Sequence, residues 1–235
     1  MVVLAVTAHP DDMEFYCAGT LLKCRERGDE VFVCTVNNGN MGHVEIMPDE
    51  LDKIRREDCI ESCKTAGFHY IPAGIGDLQS YHQCREHKDI MVDVFRQVNP
   101  DLILIHHPHD YMGDHNTASA LAFDASFTAT CPHYETNYPA IDKIAPIYYM
   151  GSSCYIGDFK PTEYVDITSV YETKLKMLLC HRSQEEWLRV HDGVDYTDEL
   201  RITSEFSGMQ CKAKYAEAFE PCLAAHRIVP YRMLP

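Results

Sequence analysis

The sequence predicts an α/β protein with a Rossmann-like, mostly parallel sheet flanked by helices, folded as a single domain over residues 1–235. Three observations carry that expectation. Short apolar runs rich in β-branched residues, Val2–Thr7, Val31–Val36 and Leu102–Ile105, read as buried strands. Longer stretches of helical composition alternate with them, as in βαβ units. No internal repeat, low-complexity tract or Gly/Ser/Pro linker divides the chain.

In chain order, the strand ending at Thr7 is followed by a polar loop, Ala8-His9-Pro10-Asp11-Asp12, and a helix over Met13–Arg27. Val31–Val36 is the second strand, and Asn38-Gly39 with Gly42 after it either line a pocket or act as ordinary turn residues. Helices follow over Leu51–Ala66 and Lys88–Gln97. Asn99-Pro100-Asp101 reads as a turn into the Leu102–Ile105 strand, and Ala118–Phe127 as a helix. Ile147–Met150 and Glu163–Asp166 extend the sheet, Val170–Cys180 is helical, and the C-terminal third is a candidate lid over the site.

Two polar clusters sit at the carboxyl ends of predicted strands, which is where open α/β sheets bind ligands. His9, Asp11, Asp12 and Glu14 fall within six residues, and His106-His107-Pro108-His109-Asp110-Tyr111-Met112-Gly113-Asp114-His115 lies far along the chain. Neutral imidazole and carboxylate oxygen are common Zn²⁺ ligands, and a catalytic site needs about three plus a carboxylate free to move a proton. A helix cap explains one acidic residue at the start of a helix, not several.

On these residues the chain resembles the LmbE-like (PIG-L) zinc-dependent N-deacetylases, whose pattern is an AHPDD-x-E loop followed about a hundred residues later by an Asp-His pair opening a helix. Weaker matches fall in the same order: Ala18-Gly19-Thr20, Arg55-x-x-Asp58 closing at Ala66-Gly67, Lys174 followed by His181-Arg182-Ser183-Gln184, and Tyr215-Ala216-Glu217-Ala218-Phe219. The resemblance implies that His9, Asp12 and His115 hold the metal and that Asp11 is the general base. Zn²⁺ lowers the pKa of its water to about 7, so a neighbouring carboxylate can complete the deprotonation near neutral pH. It also implies a sugar contact for Arg55; the residues alone equally allow a helix-face ion pair with Asp58. Glu14 is expected behind the ligands or at the helix end, favoured there by the helix dipole. Asp114 is expected either to orient a ligand imidazole or to cap the helix.

One departure stands out. Where many members of the resembled family carry an oxyanion-stabilising histidine three residues before the ligand histidine, this chain has Met112. A thioether donates no hydrogen bond, and losing one oxyanion donor costs about 10²–10³ in turnover. His107, His109 and His181 are candidate substitutes, with His181 favoured for its place in the His-x-Ser-Gln segment.

With 36 acidic against 21 basic residues and a net charge of −15, the chain is a poor partner for nucleic acid or an anionic membrane. No run approaches a membrane span, and the N-terminus has no signal pattern, which predicts a cytoplasmic enzyme. The eleven cysteines include no Cys-x-x-Cys pair, so reduced thiols are expected, with Cys34, Cys154 and Cys180 as small core residues. The chain lacks Gly-x-Gly-x-x-Gly after its first strand, which disfavours dinucleotide binding.

The expected activity is metal-dependent removal of an N-acetyl or other N-acyl group from an amino-sugar-like small molecule, with Zn²⁺ as cofactor and Fe²⁺ the alternative. Amide hydrolysis on a non-sugar or thiol conjugate uses the same site. A metal- or ligand-binding protein weakened by Met112 is the third reading, opposed by retention of Asp11. The resemblance also implies a homo-oligomer.

Overall fold

In the computed structural model, which describes residues 1–151 and 158–235, seven strands form one sheet in the order β3-β2-β1-β4-β5-β7-β6. The strands are β1 (Val2–Thr7), β2 (Glu30–Thr35), β3 (His69–Tyr70), β4 (Leu102–His106), β5 (Ile147–Met150), β6 (Glu163–Asp166) and β7 (Ala216–Pro221). The first five neighbours pair in parallel, and β7 runs antiparallel to both β5 and β6. The helices are α1 (Asp12–Tyr16), α2 (Ala18–Glu26), α3 (Pro48–Ala66), α4 (Arg85–Val98), α5 (Gly113–Thr128), α6 (Tyr171–Leu178), α7 (Arg182–Trp187) and α8 (Tyr196–Cys211), with a π-helical turn at Leu188–Asp192.

Both faces of the sheet are covered, as βαβ crossovers demand. Val3 and Ala5 of β1 pack with Leu102 and Leu104 of β4 toward Leu21 of α2 and Met177 of α6. The alternate residues, Leu4, Val6, Ile103 and Ile105, pack toward Met91 and Phe95 of α4 and Leu121 of α5. This two-sided burial is why the strands read as continuous apolar runs. No described helix is long and apolar enough to cross a membrane.

The helix expected over Met13–Arg27 is two helices broken at Cys17, where φ is −148° and ψ is 1°. The break is stabilised from a distance. Glu217 of β7 accepts hydrogen bonds from the Gly19 and Thr20 amides at 2.8 and 2.7 Å, satisfying donors in the first turn of α2. Lys174 of α6 pairs with the same carboxylate at 2.7 Å and donates to the Phe15 carbonyl at 3.1 Å. Gly19 is also sterically required, because a Cβ there would lie 2.6 Å from Ile167. Strands β3 and β7 and helices α7 and α8 were not among the sequence expectations. The ten described cysteines are free; Cys34 is buried as expected, Cys180 is only half-buried beyond the end of α6, and Cys154 lies outside the described residues.

Lys174 and Glu217 are nearly inaccessible, so removing one partner strands a buried charge. Lys174→Met is expected to cost about 3–5 kcal/mol in denaturant unfolding, and Lys174→Met/Glu217→Gln less than that. Breaking the exposed Arg201–Glu205 pair should cost under about 1 kcal/mol.

Candidate metal-assisted active site

Register brings the two polar loops together. Val6 of β1 lies opposite Ile105 of β4, so the segments leaving these strands emerge side by side. The Ala8 amide then donates to His106 Nε2 at 2.9 Å, tying one loop to the end of the other strand.

The centre of the cluster is Asp12. Its Oδ1 lies 3.3 Å from His115 Nε2 and its Oδ2 lies 3.6 Å from His9 Nδ1, with one ligand atom from each residue of this trio within 4.8 Å of the others. Each imidazole turns its other nitrogen to a second carboxylate: His9 Nε2 is 3.2 Å from Asp114, and His115 Nδ1 is 3.3 Å from Asp110. This arrangement fixes tautomer and ring orientation. Asp114 sits in the first turn of α5, but its carboxylate faces inward to His9, the Asn37 amide, the Leu78 amide and Ser80, instead of capping the helix. Asp110 and His106 were not singled out from the sequence. His106, fully buried, stacks on His115 with ring centroids 4.1 Å apart.

Electrostatics and donor geometry fit a cation. Burial opposes charging of His9, yet the Asp114 and Asp12 carboxylates outweigh it and push the ring up to about 10. His115 rises to about 9 in the same way, against burial, through Asp12 and Asp110. Burial pulls the Asp12 carboxyl up, but His115 and His106 hold it well below the usual carboxylate range. The cluster therefore attracts positive charge. Both His115 nitrogens are buried without a well-formed hydrogen bond, and Nε2, 3.3 Å from Asp12, is an orphaned atom that a cation would satisfy with the ring neutral. Two imidazoles and a carboxylate suit Zn²⁺ or Fe²⁺.

Asp11 stands apart from this trio. Its φ of 99° places a non-glycine residue in the left-handed region, and its side chain makes no cap hydrogen bond. The carboxylate instead accepts from Tyr196 Oη at 2.8 Å and faces Arg55 Nη2 at 3.4 Å. Burial pushes its pKa up to about 6, with Arg55 pulling against that and Asp12 adding to it. Tyr196, on α8, gave no local sequence signal.

Arg55 is buried on α3 and donates to the Pro10 carbonyl at 2.5 Å and to Gln184, so its ion pair is with Asp11 in place of Asp58. Gly39 makes room for it: at φ 76°, a Cβ there would lie 2.5 Å from Arg55 Nε. Glu14 is buried behind the site, accepting from Ser62 and lying 3.1 Å from His181 Nε2.

His9, Asp11, Asp12, Arg55, Asp114 and His115 line a cavity of about 960 Å³, walled also by Gly39, Met41, Leu78, Tyr111 and Met112 and, from the C-terminal third, by Gln184, Trp187 and Glu199. His181 does not line it; it sits fully buried against Glu14, where burial lowers its pKa but Glu14 and Asp11 raise it overall. His107 is buried near Glu220, and His109 is exposed and paired with Asp158 at 2.8 Å. None of the three histidines expected to replace the missing donor reaches the cavity wall, where Met112 stands.

A family model described as PIG-L, GlcNAc-PI de-N-acetylase, matches residues 4–126. Diacetylchitobiose deacetylase of Thermococcus kodakarensis is 30% identical, covering 97% of this chain and 86% of its own. A 4-oxalmesaconate hydratase of Pseudomonas putida is 26% identical, over 86% and 83% of the two chains. Among solved structures, N,N'-diacetylchitobiose deacetylase from Pyrococcus horikoshii superposes with a TM-score of 0.81 at 24% identity, covering 94% and 83% of the chains. The 4-carboxy-2-hydroxymuconate hydratase from Pseudomonas putida gives 0.83 at 22%, covering 99% and 100%.

If Asp110 and Asp114 orient the two imidazoles, Asp110→Asn and Asp114→Asn should each weaken Zn²⁺ binding by about 10–100-fold, measured by competition with a chelator. Unchanged affinity in both variants would remove that role.

Proposed function

The chain belongs to the PIG-L family of de-N-acetylases, and from that premise we propose that it is a metal-dependent hydrolase removing the N-acetyl group from an amino-sugar-like small molecule. The observation that carries this reading is a buried carboxylate, Asp11, outside the His9, Asp12 and His115 trio but beside it, held by Arg55 and Tyr196 and pushed up by burial. A site that only bound metal has no use for such a base.

His9, Asp12 and His115 would hold Zn²⁺, or Fe²⁺ in its place, with Asp110 and Asp114 fixing the rings. The bound dication supplies an electrophile for the amide carbonyl and makes water more acidic. Asp11 takes the proton from the attacking water and returns it to the amine as the C–N bond breaks. Tyr196 and Arg55 orient the Asp11 carboxylate through these steps. His181, held against Glu14 behind the wall, acts on Asp11 through charge and not through contact with substrate. Met112 in the wall offers the carbonyl oxygen no hydrogen bond.

The hydratase relatives support a second reading, since the same base and cation can activate water toward an activated C=C bond. Their names denote carboxylate substrates. Here the two basic side chains among the described cavity residues, Arg55 and Lys174, are already paired with Asp11 and Glu217. Among the described residues of the cavity, neither the lysine nor the arginine side chain is therefore left unpaired to meet a substrate carboxylate, which favours the neutral amide.

Metal-loaded protein should release free amine from N-acetylated amino sugars, and Asp11→Ala should lose about 10²–10⁴ of that rate with metal content unchanged. Activity in Asp11→Ala equal to wild type would sink the mechanism. Because the base acts deprotonated, kcat/KM should be constant at neutral pH and fall as pH drops through the Asp11 pKa. A neighbouring dication favours the carboxylate, so the midpoint should lie at or below about 6. A pH profile that falls on the alkaline side alone contradicts this assignment.

A further inference from the structure

A second group of metal-binding side chains lies outside the cavity. His107 and His109 follow the end of β4, Asp158 belongs to the connection between β5 and β6, and one ligand atom from each falls within 4.8 Å of the others, the same closeness that His9, Asp12 and His115 show. None of the three lines the cavity. His107 is the fixed member. Its ring is buried, with Tyr149 and Phe159 packed edge-on at centroid distances of 5.7 and 5.5 Å. Its Nδ1 lies 3.1 Å from the His109 carbonyl, the kind of backbone contact by which ligand imidazoles fix their tautomer. With Nδ1 donating there, Nε2 keeps its lone pair, and the neighbouring Glu220 carboxylate, at 3.9 Å, is beyond hydrogen-bond range. The same Nδ1 lies 3.2 Å from the His109 amide, so an ion would select between the two tautomers. His109 Nδ1 meets Asp158 at 2.8 Å, yet both side chains are mostly exposed, at 66% and 62%. An exposed pair contributes little to stability, and it does not account for a buried imidazole held 5.7 Å from the His109 ring.

We infer that His107, His109 and Asp158 form a second site for a Zn²⁺-like dication, separate from the His9, Asp12 and His115 trio, and that an ion there clamps the β4–α5 loop to the β5–β6 connection. Two imidazoles and one carboxylate are a donor set for such an ion, and Glu220, beside His107, adds negative charge. Two of the three ligands face solvent, so water completes the shell and the ion is held less tightly than at the buried trio. The clamp bears on the loop that serves the first site. His109 is followed directly by Asp110, which faces His115 Nδ1 at 3.3 Å and accepts from the Met112 amide at 2.9 Å. The Asp110 amide in turn donates to Asn116 at 2.7 Å. An ion at the second site therefore restrains the segment that positions Asp110 without touching substrate. A tether of this kind serves hydrolase and hydratase chemistry alike.

Untagged full-length protein, stripped of metal, is titrated with Zn²⁺ against a chromophoric chelator in three forms: wild type, His9→Ala, and His109→Ala/Asp158→Ala, whose altered side chains are exposed and leave the core intact. Wild type should take up two equivalents, the second more weakly. In the double variant the second should weaken by at least the about 10–100-fold that loss of an outer-shell partner costs, with the first unchanged. In His9→Ala the first should weaken and the second remain. Amide hydrogen exchange over residues 107–112 should slow as the second equivalent binds to wild type, and should not respond in the double variant. Uptake of one equivalent by wild type overturns the proposal. So does a second equivalent that His109→Ala/Asp158→Ala weakens by less than about tenfold, which is adventitious surface binding. A second equivalent lost in His9→Ala belongs to the cavity, where His9, Asp77 and Asp114 form another candidate group, and also overturns it. Two equivalents with the expected variant pattern but no slowing of exchange overturn the clamp.

Discussion

Parallel pairing of β1 with β4 is the constraint from which the rest of the site follows. Neither polar loop supplies the central cluster alone: His9 and Asp12 come from one and His115 from the other. Adjacent parallel strands leave the sheet on the same edge, so two loops about a hundred residues apart in sequence become neighbours. The Ala8 to His106 hydrogen bond then sets their separation. Asp12, facing both imidazoles, is where the two loops meet electrostatically.

Concentrating Asp11, Asp12, Asp77, Asp110 and Asp114 at one edge creates a demand for positive charge that the protein meets differently from place to place. Around Asp12 the demand is met by His9 and His115, whose rings the surrounding carboxylates push up. At Asp11 it is met by Arg55, which neutralises part of the charge without abolishing basicity, since burial and Asp12 still push the carboxyl up. Behind the wall, Glu217 is satisfied by Lys174 and two helix amides, a structural pairing that fixes the break between α1 and α2. That break ends α1 two residues beyond Glu14, with Phe15 and Tyr16 lining the cavity.

The same loops that orient the catalytic groups also shape the entrance. Asp114 ties Leu78 to His9, and Asp110 ties Met112 to His115. Mouth and floor of the cavity therefore share their supporting carboxylates, and a change to either carboxylate is felt at both.

The fold class was legible in the sequence because strands buried on both faces read as unbroken apolar runs, and the grouping of His9, Asp12 and His115 with Asp11 beside it was foreseeable because these residues cluster locally after such runs. Glu14 and Asp114 were recognisable as supporting residues, though whether they capped helices was not. Chain position said nothing of Tyr196, whose hydroxyl reaches Asp11 across 185 residues, nor of Asp110 against Asp114 as the partner of His115. His181 illustrates the limit from the other side: its motif was visible, but packing placed it against Glu14 and out of the cavity. Local sequence thus determined which groups were present and on which strand ends, since periodicity and loop composition are local properties. The tertiary structure alone decided which carboxylate faces which imidazole and which apolar side chains rim the opening, because those pairings depend on the direction of side chains from elements far apart in the chain.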